Sequence, residues 1–568
     1  MLKGYLELRK STLFLGVVVA ALLIAGLVYA LSDNLYASLK DFGEIASVVN
    51  SQYVEEVNSQ SLIAAGIEGM LSSLDPYSEY LDEKKYSALM EDTHGQFEGL
   101  GIEITIKDGW LTVIAPLEGT PADRMGIQAG DRIIEIEGVS TKGITADEAV
   151  SKLRGKKGTK VSITVQREGI PEPMEYTIVR DVIEIKSVPY YGTTSNNIGY
   201  VRLNRFSETS SYELKDAVSE LLDRGIRGLI LDLRGNPGGL LTQAIEVTSA
   251  FLDEDKLVVE TKGRASSQNR EFFSSGKPLT TDVPLVVLVD EGSASGSEIV
   301  AGAIQDWDRG VIVGSTTFGK GLVQSIMKIK DGAALKLTTA KYYIPSGRCI
   351  QKPELSENLS GEPEESLPSD SIQKESESEK EEFFTKGGRV VYGGGGIVPD
   401  VSVSSGRLSP LEYNLLAKLA FFDFAVHYTA THPELPKNFE VDQAMFAEFK
   451  EFLKTKNFSY QTACEIELDR LKETIKEEGR LDTASEDADG NLQRVLADME
   501  KFLKARKEND LRGSEDYLKW RVKEDILIKL YGQSAKYEGV WFEYHPGIKK
   551  AIQILSDREE YDSLLSMK

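Results

Sequence analysis

Histidine and cysteine are scarce in this chain, and basic residues are outnumbered. Of 568 residues four are histidine and two are cysteine, Cys349 and Cys464. Two cysteines exclude a disulfide scaffold and allow at most one bridge, whose formation the sequence does not decide. Lys and Arg number 66 against 90 Asp and Glu, a net charge of −24. A phosphate-binding surface should be basic, and no basic cluster offsets the acidity, so nucleic acid is excluded as a partner. The negative charge favours solubility and would attract cationic, unfolded tails. A chain of this length holds three or four domains.

The lack of histidine matters most around residues 292–324, which read GSASGSEIVAGAIQDWDRGVIVGSTTFGKGLVQ. A serine hydroxyl is a poor nucleophile until a neighbour takes its proton. The four histidines, His94, His427, His432 and His545, all lie outside this stretch. Lysine can serve instead where burial lowers its pKa, because desolvation disfavours the ammonium form. Lys320 suits that role, following the apolar run Val311 to Val313 and standing between Gly319 and Gly321. Gly314 to Lys320 also fits most of a phosphate-binding GxxxxGK loop. However, Gly321 replaces the magnesium-binding Ser or Thr, and LVQSIMKIK then alternates like a strand instead of opening a helix. Ser293, Ser295 and Ser297 could equally cap a helix that runs through Glu298, Ile299, Val300, Ala303 and Ile304. Capping and catalysis are compatible, since a helix N-terminus favours negative charge.

A second loop follows the apolar run at 228–233. In LILDLRGNPGGLL, residues 234–239 form a turn whose glycines allow close backbone approach. Asp306 and Asp308 read as structural or solvated carboxylates. Upstream, alternation at Ile102, Ile104 and Ile106, and again at Val161, Ile163 and Val165, predicts half-buried strands. With G-x-x-A-G-D-R-I-x-x-I-x-G at Gly126 to Gly138, residues 96–167 resemble a PDZ domain. Such domains add a peptide as an extra strand and hold its terminal carboxylate on backbone amides, here those of Gly99, Leu100, Gly101 and Ile102.

The motifs S-A-S-x-S-E-I and T-F-G-K-G-x-V-Q closely resemble those of the carboxyl-terminal processing peptidases, or tail-specific proteases, serine endopeptidases with a Ser-Lys pair. The resemblance runs from about residue 42 to 403. It includes SLDPYSEYL at 73–81, LTTAKYYIPSGRCIQ at 337–351 and GGGGIVPDV at 393–401, all three read as packing and turn chemistry. It implies Ser295 as nucleophile, Lys320 as general base and Gln324 as the residue that orients the lysine. It further implies that the amides of Gly239 and Gly296 form the oxyanion hole. Gly296 stands where the family commonly has alanine, which leaves the N–H in place. No metal and no organic cofactor is expected. The alternative from another class is an inactive PDZ scaffold that binds C-termini without cutting them. A chymotrypsin-like PDZ protease would need a histidine in a recognisable setting.

Near the N-terminus, Leu13 to Leu31 is almost wholly apolar, long enough to cross about 30 Å of hydrocarbon. Lys3, Arg9 and Lys10 precede it and Asp33, Asp41 and Glu44 follow, which leaves the N-terminus cytoplasmic and the bulk exported. The reading is a single-pass inner-membrane protein of the cell envelope, facing the periplasmic or extracytoplasmic side. A cleavable signal peptide ending near Ala30 is the competing reading.

The expected architecture is multidomain α+β, with a PDZ β domain in or before an α/β serine-protease core. Its parts are a flank and anchor (1–32), N-terminal helices (33–95), the PDZ domain (96–167), the core (168–405) and a helical C-terminal region (406–568). Within the core, 353–382 is rich in Glu, Ser and Pro and reads as a disordered acidic insert. The helical regions offer faces for a homodimer or an adaptor. Substrates would be unfolded or flexible protein C-termini, apolar at the bound end.

Overall fold

The computed structural model describes residues 36–329, 332–353, 381–404, 406–477 and 489–566. The apolar segment at 13–31 lies outside these residues, as does the acidic insert apart from its ends. Among the described residues, no helix is long and apolar enough to cross a membrane.

The chain forms two compact units, the first built from residues up to Tyr86 together with Gln324–Thr338. In it, a helix at 36–52 precedes the helix Ser59–Ser72, whose N-cap Asn58 accepts from the amides of Gln60 and Ser61. The SLDPYSEYL motif interrupts the helical pattern. Asp75 accepts the amides of Tyr77 and Ser78 at 2.8 and 2.9 Å, an Asx turn. This turn leads into the strand Glu79–Leu81, which pairs antiparallel with residues 334–336.

The second unit contains the PDZ domain, the protease core and the C-terminal helices. The PDZ sheet comprises β1 (Ile102–Lys107), β2 (Trp110–Pro116), β3 (Arg132–Ile136), β4 (Lys160–Gln166) and β5 (Met174–Val179), in that spatial order. Alternating side chains Leu111, Val113, Ile133, Ile163 and Val165 point into its core. Helix α1 (Ala146–Leu153) starts on a capping box between Thr145 and Glu148. The sheet does not close at Arg167, as the sequence pattern suggests, because β5 pairs with β4 along Val165 to Lys160. A ribbon of Gln96–Gly99 against Asp181–Glu184 carries the chain in and out of the PDZ domain, which stands before the protease core.

The core sheet is ordered β6 (Tyr190–Thr193), β7 (Gly199–Arg202), β8 (Leu229–Asp232), β9 (Leu285–Val289), β10 (Val311–Gly314), β11 (Val401–Ser402), parallel from β7 onward. A parallel sheet must be covered on both faces. Val201, Leu231, Val287 and Val289 face α2 (Ser210–Asp223), α3 (Leu241–Ser249) and α4 (Gly296–Asp306). The opposite face presents Tyr200, Ile230, Val286, Leu288 and Val313, and its cover comes from Tyr537, Ile548, Ala551, Ile554 and Tyr561. The last helices are therefore the third layer of the protease core. The helices between Pro410 and Tyr531 form a separate cluster. Those pack around their own aromatic centre of Phe421, Phe424, Phe446 and Phe449. Among them, α5 (Ala420–Thr431) meets the PDZ domain through the Lys107–Asp423 ion pair and a His427–Glu168 contact of 2.8 Å.

Candidate active site

Strand β9 is wholly buried and ends at Val289, and the next residue, Asp290, accepts through Oδ1 the amides of Gly292 at 3.0 Å and Gly235 at 2.7 Å. One carboxylate thus joins the serine turn to the glycine turn after β8. The three serines have different surroundings. Ser293 Oγ donates to Leu233 O and Ser297 Oγ to Asn236 O, each at 2.8 Å and buried. Ser295 is only partly buried and has φ +53°, an uncommon value for a residue with a Cβ. Such a sharp turn immediately before α4 resembles the strained geometry that displays a nucleophile.

Lys320 is brought beside this turn by Glu298, one turn into α4. The Glu298 side chain is fully buried. Its Oε1 accepts Thr317 Oγ1 and the Gly319 amide, and its Oε2 accepts the amides of Ser295 at 2.8 Å and Lys320 at 3.0 Å. The backbones of Ser295 and Lys320 therefore meet at a single oxygen atom. Tyr342, also buried, closes the other side: its hydroxyl donates toward Ser295 O at 3.2 Å and toward Lys320 O. Burial pushes the Glu298 carboxyl up to about 7, against the pull of its four donors. After Lys320 comes a strand, Leu322–Lys328, which removes the helix a nucleotide loop requires.

The glycine turn packs on Ser295. A Cβ at Gly238, which has φ +96°, would lie 2.8 Å from Ala294 O, Gly296 N and Ser295 Cβ. Gly238 N–H donates to Asn236 Oδ1 at 2.9 Å. Among the described residues neither Gly239 N–H nor Gly296 N–H has a protein acceptor, and Gly239 is exposed. Gln324 belongs to the first unit. There its Nε2 donates to Thr338 Oγ1 at 3.3 Å, and that hydroxyl donates to Asp75 at 3.1 Å. The SLDPYSEYL motif, to which the sequence reading gave no chemistry, is what steadies this glutamine.

In the PDZ domain, Gly99 ends its strand, Leu100 is buried, and Ile102 opens β1. Gly101 has φ +78°, and a Cβ there would sit 2.4 Å from Thr120 Cβ, so the loop requires glycine. Strand β1 is at the edge of its sheet, paired among the described residues only with β2. Sequence reasoning missed Tyr342, the linking role of Glu298, and His545, which the fold sets against Arg234 at the start of the glycine turn. The S-x-x-E spacing was the available signal for Glu298.

Family models match four segments. Peptidase family S41 matches residues 197–360, and a PDZ domain matches 112–167. "Probable PDZ-protease, C-terminal helical domain" matches 411–555, and "Activating protease CtpB N-terminal domain" matches 29–85. A carboxy-terminal-processing protease of Bartonella bacilliformis is 44% identical over 323 residues, 56% of this chain and 74% of that protein. The chain belongs to the carboxy-terminal processing proteases of peptidase family S41. The carboxy-terminal processing protease CtpA of Bacillus subtilis is 39% identical over 305 residues, 54% of this chain and 65% of that protein. Among solved structures, a photosystem II D1 C-terminal processing protease is 29% identical, with a TM-score of 0.33 over 57% of this chain and 91% of that one. As a member of this family the chain is a serine-type peptidase with a PDZ domain.

Proposed function

We propose that this enzyme cuts the C-terminal tails of unfolded or flexible proteins with Ser295 as nucleophile and Lys320 as general base. Ser295 Oγ attacks the scissile carbonyl while its proton passes to neutral Lys320 Nζ. The amides of Gly239 and Gly296 take the oxyanion, and the protonated lysine then returns its proton to the departing amine. Water, deprotonated by the same lysine, hydrolyses the acyl-enzyme. Gln324 orients the lysine. The observation that carries this reading is the Glu298 carboxylate, which accepts the Ser295 and Lys320 amides on one oxygen.

The loop Gly99 to Ile102 holds the terminal carboxylate of the substrate while the tail adds to the open edge of β1. The segment at 13–31 anchors the chain in the cytoplasmic membrane with its bulk on the extracytoplasmic side. The test is cleavage of an unfolded reporter with an apolar C-terminus by the parent, S295A and K320A. The parent should cut, and both variants should fold yet lose at least a thousandfold in kcat. Amidating the reporter's terminus should raise KM. Cleavage by S295A at the parental rate would overturn the assignment, and tail binding without cutting by the parent would favour an inactive scaffold.

A further inference from the structure

We infer that the C-terminal helices hold the glycine turn in its working shape through His545, a positioning residue that acts on Arg234. This rests on the reading of Gly239 and Gly296 as oxyanion donors. Arg234 opens the turn and is buried. It lies against Asp232, the last residue of β8: its Nε donates to Oδ1 at 2.9 Å, one terminal nitrogen to Oδ2 at 2.6 Å, and its own amide to Oδ1 at 3.0 Å. Asp232 also accepts Arg202 at 2.8 Å and the Tyr200 hydroxyl. Its oxygens are saturated. The other terminal nitrogen of Arg234 must find an acceptor elsewhere, and it meets the imidazole of His545, within reach of Nδ1 at 2.7 Å and of Nε2.

Two guanidinium groups thus share one buried carboxylate, so the site does not tolerate a further positive charge. Burial and Arg234 together hold the His545 pKa down near 3, and the ring acts as a neutral acceptor throughout the physiological range. Trp541 lies over the same guanidinium at 5.5 Å, and Tyr537 stacks on Tyr190 at 4.2 Å, fixing the segment that carries the histidine. α6 (Pro546–Ser556) begins at the next residue and packs on the sheet.

Without His545 a charged N–H is left buried and unpaired, and Arg234 must turn to satisfy it. The residues that follow it, Gly235 to Gly239, would turn with it. An oxyanion donor matters only as charge develops in the transition state, so such a shift lowers kcat and spares ground-state binding.

The test uses the full chain and the same unfolded reporter, with kcat and KM measured for H545F and H545Q beside the parent, each checked by circular dichroism and thermal melting. The phenylalanine keeps a ring but offers no acceptor, whereas the glutamine offers a carboxamide oxygen. H545F should lose tenfold or more in kcat at unchanged KM, and H545Q should recover most of it. Should H545F not fold, added imidazole must restore turnover to H545A. Parental turnover by H545F, equal losses in H545F and H545Q, or no rescue by imidazole overturns the inference. S295A separates the two ideas. If S295A cuts, the Ser-Lys reading itself fails; if it is inactive while H545F is unaffected, only the present inference fails.

Discussion

Glu298 is caught between two opposed forces. Four donors favour its ionised form, and burial favours the protonated one, leaving it at about 7 instead of the usual 4.5. Because the folded value is the higher, the folded chain holds a proton that the unfolded chain releases. The stability from this group is complete below about 4.5 and is lost as pH rises through about 7. The ionised carboxylate alone can accept all four donors, so the clamp on Ser295 and Lys320 is tightest where that stability is least. We expect the cleavage rate to rise between about pH 5 and 7 while this group's contribution to thermal stability falls. Melting curves over the interval should be flatter for E298Q than for the parent. E298Q should also lose on the order of a hundredfold in kcat, since its amide nitrogen faces two donors in place of an acceptor. Three residues of spacing were enough to read a helix cap from the sequence. The reach to Gly319 and Lys320 was not readable, because it depends on where β10 returns the chain.

At the scale of elements, alternation identified β1 and β4 correctly, as the period-two burial of Val161, Ile163 and Val165 shows. It lost β5, where only Ile178 is fully buried and the other side chains face out or sit half covered, so the pattern at 174–179 carries little signal. The carboxylate loop shows the limit of local reading in another way. Its glycines were visible, but the reason for Gly101 lies in Thr120, nineteen residues on. G101A should weaken binding of a carboxylate-terminated peptide at least tenfold, measured by fluorescence anisotropy, while a serine-reactive probe labels Ser295 at the parental rate. Equal loss of both would place the defect in folding instead of in the loop.

At the scale of the whole molecule, the amphipathic pattern after Ser409 was legible as helix, but what the helices cover was not. Periodicity reports that a face is apolar and says nothing of its partner. The partner of α6 is the far side of the core sheet. Ile548 is completely buried there, and I548A should cost about 2–5 kcal/mol of stability in denaturant melts. A protease core independent of its last helices would show almost no change.

The separation between the sheet and its last layer also has a consequence in time. Leu285 receives a hydrogen bond partner in Tyr561, 276 residues later in the chain, an interval of roughly 15–55 s at ordinary rates of synthesis. For most of that interval Ser295 and Lys320 have been made while the helices that cover the far face of the sheet have not. The far face of the sheet, with Tyr200, Ile230, Val286, Leu288 and Val313, thus stays without its cover until the last segments of the chain are made.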